Sequence, residues 1–442
     1  MERKPAVAVV FHHIGPYHHA RLNAAADRLS VTGIEWSAKG YDAWGVAITP
    51  VRYHKVSLFP EATDRSPGNT ELRCAFSSAL EQTNPDVVAV NGWNNFGSLI
   101  AAICCMRRGI PMIVMSESSR QDEPRASWKE AIKQRVAGLY SAALVGGQRH
   151  VEYLAELGMP QERIFTGYDV VDNHYFRQKA EEVRSQRSSA SANQPSHKAT
   201  AGREATADRE VRRKYGLPQN YFLASARFIE KKNLSTLIEA YAEYRRGSSA
   251  FAKATADREV RDRKSDISHQ HSPWDLVLLG DGPLKADLCH MISDLRLNDH
   301  VHLPGFKPYD ELPVYYALGN AFVHASTTEQ WGLVVNEAIA SGLPVIVSDR
   351  CGCAPELINR NGFTFDPTNE DELTARLLEM ASLSDEQRKH FGDNSYRIAA
   401  NFAPERFGEG LERAASVAIG VPQKRFGVMD RTLLLVTASH AR

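Results

Sequence analysis

Two carboxylates eight positions apart, Glu329 and Glu337, and two cations five apart, Arg227 and Lys232, are the residues whose types and spacing could do chemistry. Glu329 stands in a polar stretch, residues 326 to 332, just before a helical pattern; alone it reads as a helix cap or a partner for the helix dipole. Glu337 sits among Leu333, Val334, Val335, Ala338 and Ile339, where a purely structural helix would carry an apolar side chain. Its charge needs a partner there, and sugar hydroxyls would serve. Arg227 and Lys232 follow an apolar run at residues 221 to 224 and precede helical spacing from Leu234. Cations placed where a strand turns into a helix can converge on a diphosphate and offset the charge that grows as it leaves; surface solvation would explain either one alone.

The elements that must position these groups are legible around them. Residues 321 to 325 are a short apolar run, 333 to 341 have helical spacing, Gly342 and Pro344 stop the helix, and 344 to 347 supply a second buried strand. This is a βαβ unit, and ligands gather outside the carboxyl ends of its parallel strands, where helix N-termini attract anions. The same rhythm fills the chain. Strands are expected at residues 6–11, 33–37, 53–58, 86–90, 111–115 and 142–145 in the first half. The second half has them at 221–224, 276–279, 302–303, 321–325 and 345–347, with helical stretches between.

The E-x7-E pattern of Glu329 and Glu337, with Gly332, Gly342 and Pro344 around it, resembles the donor site of family 4 retaining glycosyltransferases, and Arg227 and Lys232 match that family's R-x4-K motif. The resemblance implies an α/β chain of GT-B architecture: two Rossmann-like doubly wound domains facing a cleft. It implies a UDP- or GDP-sugar donor, a hydroxyl acceptor such as a lipid-linked glycan, and a place in polysaccharide or glycoconjugate biosynthesis. Carried over residue by residue, it assigns Arg227 and Lys232 to the leaving diphosphate, Glu329 to the donor sugar's hydroxyls and Glu337 to the ribose. Gly332, Leu333 and Val334 would present backbone N–H groups, Gly305 and Phe306 would hold the base, and Gly15 would face the diphosphate. Gln330 stands where the family usually has glycine, and Trp331 would shape the sugar pocket or cover the helix start. In the first half, Asn91-Gly92-Trp93 and Glu117 fit a related subgroup's acceptor-side pattern, and one of His12, His13, His18 and His19 belongs near the acceptor; we assign His18 with Asn91 and Glu117.

The resemblance divides the chain into an acceptor domain at 1–176, a linker with a low-complexity insertion at 177–213, a donor domain at 214–401 with an insertion at 247–272, a helix at 402–419 returning to the first domain, and a tail at 420–442. Both insertions carry the octapeptide ATADREVR and read as surface additions, flexible or marginally helical. Phosphate charge is expected to be met without a metal, because no D-x-D occurs, and no cofactor is expected. The adjacent histidines lack an acidic ligand set, and Cys351-Gly-Cys353 reads as a tight turn.

Composition limits the alternatives. Equal counts of Lys plus Arg and of Asp plus Glu, 53 each, leave no basic field for nucleic acid. Neither half has a G-x-G-x-x-G after its first strand, which lowers the dehydrogenase reading. No apolar run approaches a membrane span and the start reads as a strand, so a cytoplasmic protein is expected. A basic amphipathic helix around Trp128, with Arg125, Lys129, Lys133 and Arg135, suits either a solvated face or peripheral contact with the inner face of a membrane. The chief alternative is a non-catalytic nucleotide-sugar-binding subunit; a sugar phosphorylase and a periplasmic binding protein fit less well.

Overall fold

Short apolar runs separated by amphipathic helices bury strands on both faces, and the computed structural model shows two all-parallel sheets built this way. It describes residues 3–37, 50–61, 67–93, 95–123, 125–189, 209–259, 273–422, 427, 430 and 432–434. Two compact units result, one of Met1–Asp172 with Asn401–Arg442 and the other of Asn173–Ala400.

The first unit holds β1 (Ala6–Phe11), β2 (Ser30–Glu35), β3 (His54–Ser57), β4 (Val87–Asn91), β5 (Met112–Ser116), β6 (Ala142–Val145) and β7 (Ile164–Thr166) in the order β3-β2-β1-β4-β5-β6-β7. Strand order reverses between β1 and β4, which pair in register from Val7 with Val87. The three-residue edge strand β7 was not expected from sequence, being too short to show a period. The helix Phe96–Arg108, which covers β4, begins where the Asn95 side chain accepts from the Ser98 amide and ends at Gly109, whose φ of 67° suits glycine. The helix Pro404–Gly420 lies on the helix Pro16–Ala26 so closely that a Cβ at Gly408 would stand 3.1 Å from the Ala24 carbonyl oxygen.

In the second unit, β8 (Tyr221–Ser225), β9 (Asp275–Leu279), β10 (Val301–Gly305), β11 (Ala321–His324), β12 (Val345–Ser348) and β13 (Gly362–Phe365) take the order β10-β9-β8-β11-β12-β13. Here the order reverses between β8 and β11. A switch point of this kind opens a crevice at the carboxyl ends of the strands, and Arg227, Lys232 and Glu329 all lie in the loops that leave them.

Three expectations need correction. The segment from 177, taken as linker, continues a helix, Asn173–Ser189, and the units divide at 172/173 because Phe176 packs edge-on against Tyr309 and Tyr316 of the second unit. The region from 247, taken as insertion, first extends the helix Leu234–Glu259. Within the supposed tail, Leu434 is fully buried in the first unit's core and Asp430 pairs with Arg135 at 2.8 Å. Residues 190–208 and 260–272, with half of the first ATADREVR copy and the end of the second, lie outside the described residues.

Candidate functional site

In the second unit the switch point brings Lys232 and Glu329 into direct contact, 97 residues apart in sequence. Both are mostly buried, at 12% and 14% side-chain exposure. The Glu329 loop is clamped from both sides by backbone bonds. Thr327 N–H donates to Lys231 O at 2.9 Å, Gly352 N–H to Glu329 O at 2.9 Å, and Cys353 N–H to Trp331 O at 3.2 Å. Cys351-Gly-Cys353 is therefore the turn that props this loop. The Glu329 carboxylate also has His324 Nε2 at 3.3 Å and the Ser326 hydroxyl at 3.4 Å. Burial alone would raise its pKa, but the His324 hydrogen bond and charge, with Lys232, reverse that and hold it well below the usual carboxylate range. Burial lowers the pKa of His324, against the hydrogen bond and charge of Glu329, which raise it.

Sequence reasoning missed His324 and Ser326. The available signal was a histidine closing an otherwise apolar strand before a carboxylate loop. It also placed Trp331 in either of two roles; the indole is buried over the helix start, donating to Asn336 Oδ1 at 2.8 Å.

Gly332, with φ of 105°, turns the chain into the helix Leu333–Ala340, so the amides of Leu333 and Val334 fall in a first turn that offers them no helical partner. Glu337 is 1% exposed, and the Tyr316 hydroxyl donates to its Oε2 at 2.6 Å. The charge among apolar neighbours thus has a protein partner that the sequence did not disclose.

Arg227 is exposed, and no side-chain hydrogen bond or ion pair engages it among the described residues. Its loop is tied to the next: Phe228 N–H donates to Asp281 O at 2.9 Å and Leu284 N–H to Phe228 O at 3.1 Å. Gly305 has φ of 83° with open space where a Cβ would be, and Phe306 is 50% exposed rather than a core aromatic. A separate cavity of about 560 Å³, bounded by Asn220, Asn320 and Pro344, lies at the opposite ends of β8, β11 and β12. Its Arg184 is occupied by the carbonyls of Ala317 and Ser341 and the Tyr396 hydroxyl.

The remaining assigned residues form their own group in the first unit, again at a switch point. Gly15 N–H donates to His18 Nδ1 at 3.2 Å, so the neutral ring carries its proton on Nε2. Burial, then the nearby charges of Arg21 and His13, push the His18 pKa down to about 3. His12 instead stacks on Trp36, with ring centroids 4.2 Å apart. The turn before Gly15 is held by Glu35, a buried carboxylate the sequence reading passed over, which accepts from Ile14 N–H at 3.0 Å and pairs with Lys55 at 2.9 Å. At the end of β4, Asn91 Oδ1 accepts from the Tyr168 hydroxyl at 3.0 Å. Glu117 follows β5 and is half-buried.

Two doubly wound parallel units, the second with a cation–carboxylate pair at its ligand edge, define a GT-B protein. Residues 207–398 match the family described as glycosyl transferases group 1. Among curated relatives, an alpha-monoglucosyldiacylglycerol synthase of Acholeplasma laidlawii is 29% identical over 30% of this chain and 28% of its own length. The enzyme of that name from Streptococcus pneumoniae is 26% identical over 46% and 40%. The chain thus spans less than half the length of either. Anabaena HepE, solved with UDP and glucose, superposes with a TM-score of 0.64 over 92% of this chain and 97% of its own; at 15% identity that likeness establishes the fold.

Proposed function

We propose that the protein is a retaining glycosyltransferase that moves a sugar from a UDP- or GDP-sugar to a hydroxyl acceptor in glycolipid, polysaccharide or other glycoconjugate assembly. The observation that carries this reading is the Lys232–Glu329 contact at the β8/β11 switch point, with exposed Arg227 in the loop that follows β8. In this scheme the diphosphate draws on Lys232 and Arg227 and on the helix amides of Leu333 and Val334, with no metal required. Glu329, held ionised, accepts hydrogen bonds from the donor sugar's hydroxyls, and Glu337, oriented by Tyr316, takes the ribose. Gly305 and Phe306 hold the base. The acceptor hydroxyl attacks from the face the nucleotide leaves, and its proton passes to the departing phosphate.

The names of the two synthases point to diacylglycerol-based acceptors for those proteins, and a lipid-borne acceptor with peripheral membrane contact is our proposal here. No helix among the described residues is long and apolar enough to cross a membrane. On the helix Ser127–Ala137, Trp128 is exposed, while Lys133 is paired with Glu123 and Glu130.

The test is turnover of UDP-glucose, UDP-galactose and GDP-mannose in water. Release of UDP or GDP is followed by chromatography, and the first-formed sugar anomer by proton NMR. Slow release of the α anomer from one donor is expected. A β anomer formed first would contradict retention, and no release by folded protein would favour the binding-only subunit.

A further inference from the structure

In the second unit, every side chain that contacts the Glu329 carboxylate does so at one of its two oxygens. Oε2 receives the Lys232 ammonium, and it also has His324 Nε2 at 3.3 Å and the Ser326 hydroxyl at 3.4 Å. Oε1 accepts no hydrogen bond from any described residue, yet it is not one of the buried orphaned atoms, so it stands open to solvent. A carboxylate offers about four lone-pair sites over its two oxygens. Three donors thus crowd an oxygen that suits about two, while the other oxygen keeps its sites for a ligand.

The three donors are not held equally. His324 closes β11 and Ser326 follows two residues later; they are 3% and 0% exposed. The Ser326 hydroxyl lies 3.2 Å from His324 Nε2, and the imidazole is nearly parallel to the Phe322 ring, at 13°. A Cβ at Gly332 would stand 3.7 Å from Nε2, so the start of the helix Leu333–Ala340 closes over the ring. An ionised carboxylate only accepts hydrogen bonds, so Nε2 carries a proton towards Glu329 whatever the charge of the ring. Burial raises the Glu329 pKa, and the hydrogen bond and charge of His324 oppose that ahead of those of Lys232.

Lys232 is the donor that is able to leave. It reaches Glu329 from the loop after β8 on a flexible four-carbon stem, and in the scheme above the diphosphate draws on it. Once its ammonium turns to phosphate, Oε2 keeps two donors on rigid, buried side chains, and the carboxylate has no reason to rotate.

We propose that His324 is a positioning residue for the donor sugar: with Ser326 it holds Glu329 Oε2 while Lys232 turns to the diphosphate, and so keeps Oε1 directed at a sugar hydroxyl. His324 transfers no proton and acts only through Glu329. The inference rests on the transferase reading and adds to it the group that keeps the sugar-binding carboxylate in place.

The experiment compares wild type with His324→Leu, His324→Gln, Glu329→Gln and the double variant His324→Leu/Glu329→Gln, each checked by thermal unfolding. UDP and GDP binding is measured by calorimetry. Turnover in water is followed by nucleotide release from whichever of UDP-glucose, UDP-galactose and GDP-mannose the wild type hydrolyses. His324→Leu should bind the bare nucleotide within about threefold of wild type, because the sugar contact is what it disturbs. Its kcat/KM for the donor should fall by roughly 10- to 100-fold through misplacement of Glu329. His324→Gln, whose amide N–H reaches the place of Nε2, should recover most of that loss. In the Glu329→Gln background, His324→Leu should cost less than about threefold more, because a residue that acts through the carboxylate has lost its means of action. If His324→Leu does not fold, His324→Phe, which keeps a ring beside Phe322 but cannot donate, takes its place. With nucleotide binding and wild-type turnover intact, an unchanged kcat/KM in the Leu or Phe variant, no recovery in His324→Gln, or losses that multiply in the double variant would overturn this inference alone. A wild type that binds neither nucleotide, or releases none from the three donors, would overturn the transferase reading and the His324 role with it.

Discussion

Replacing Lys232 with Met should lower donor turnover by on the order of 10²- to 10³-fold with little change in fold. Lys232 is the cation that meets the Glu329 carboxylate directly, and its amine is mostly buried, where a charge acts more strongly than in water. Met keeps the length and most of the volume. The Glu329 carboxylate would retain His324 and Ser326, so the loop stays in place while the diphosphate loses its inner cation. Arg227→Ala should cost less, because that guanidinium is exposed and screened by solvent. Steady-state release of UDP or GDP, with thermal unfolding measured on the same samples, checks both. Turnover of Lys232→Met within threefold of wild type would remove the leaving-group role from this residue.

The second large effect is structural, and it falls on the loop that presents Arg227. Gly280 has φ of 128°, and a Cβ there would lie 1.8 Å from the Ala226 carbonyl oxygen. That oxygen belongs to backbone, so nothing flexible can yield; Ala226 is itself anchored by its N–H to Leu279 O at 3.0 Å. Gly280→Ala should therefore destabilise the protein by about 3 to 5 kcal/mol, in the range reserved for severe backbone or packing faults. Gly305→Ala is the internal control. It also has positive φ, at 83°, but open space around the would-be Cβ, so only the left-handed backbone cost of about 1 to 2 kcal/mol is expected. Urea midpoints followed by circular dichroism separate the two, and equal midpoints would show that the close approach at Gly280 does not constrain the loop.

Much of this was readable before any coordinates. The strands β1, β6 and β12 and the helix around Glu337 are apolar runs or strong periods, set by burial of the sheet on both faces. Turn chemistry at Gly332 and Gly342 located the loops. What escaped was of two kinds. Short edge strands such as β7 and β13 carry too few residues for a period, and the helix Asn173–Ser189 is so polar that its composition reads as linker, although Phe176 anchors it. The second kind is pairing across sequence. Lys232 and Glu329 were each placed by motif, one on the phosphate and one on the sugar; that they contact each other depends on β8 and β11 being neighbours. The Tyr316 hydroxyl on Glu337 is likewise a product of topology, which local spacing does not encode.

The most direct measurement is calorimetric titration of the purified protein with UDP and with GDP, each repeated on Glu337→Ala. Saturable binding of one nucleotide is expected, with a dissociation constant of roughly 1 μM to 1 mM and about tenfold weakening by the substitution as the ribose contact is lost. A folded wild-type protein that binds neither nucleotide, or that binds one with an affinity unaffected by Glu337→Ala, would contradict the donor site described here.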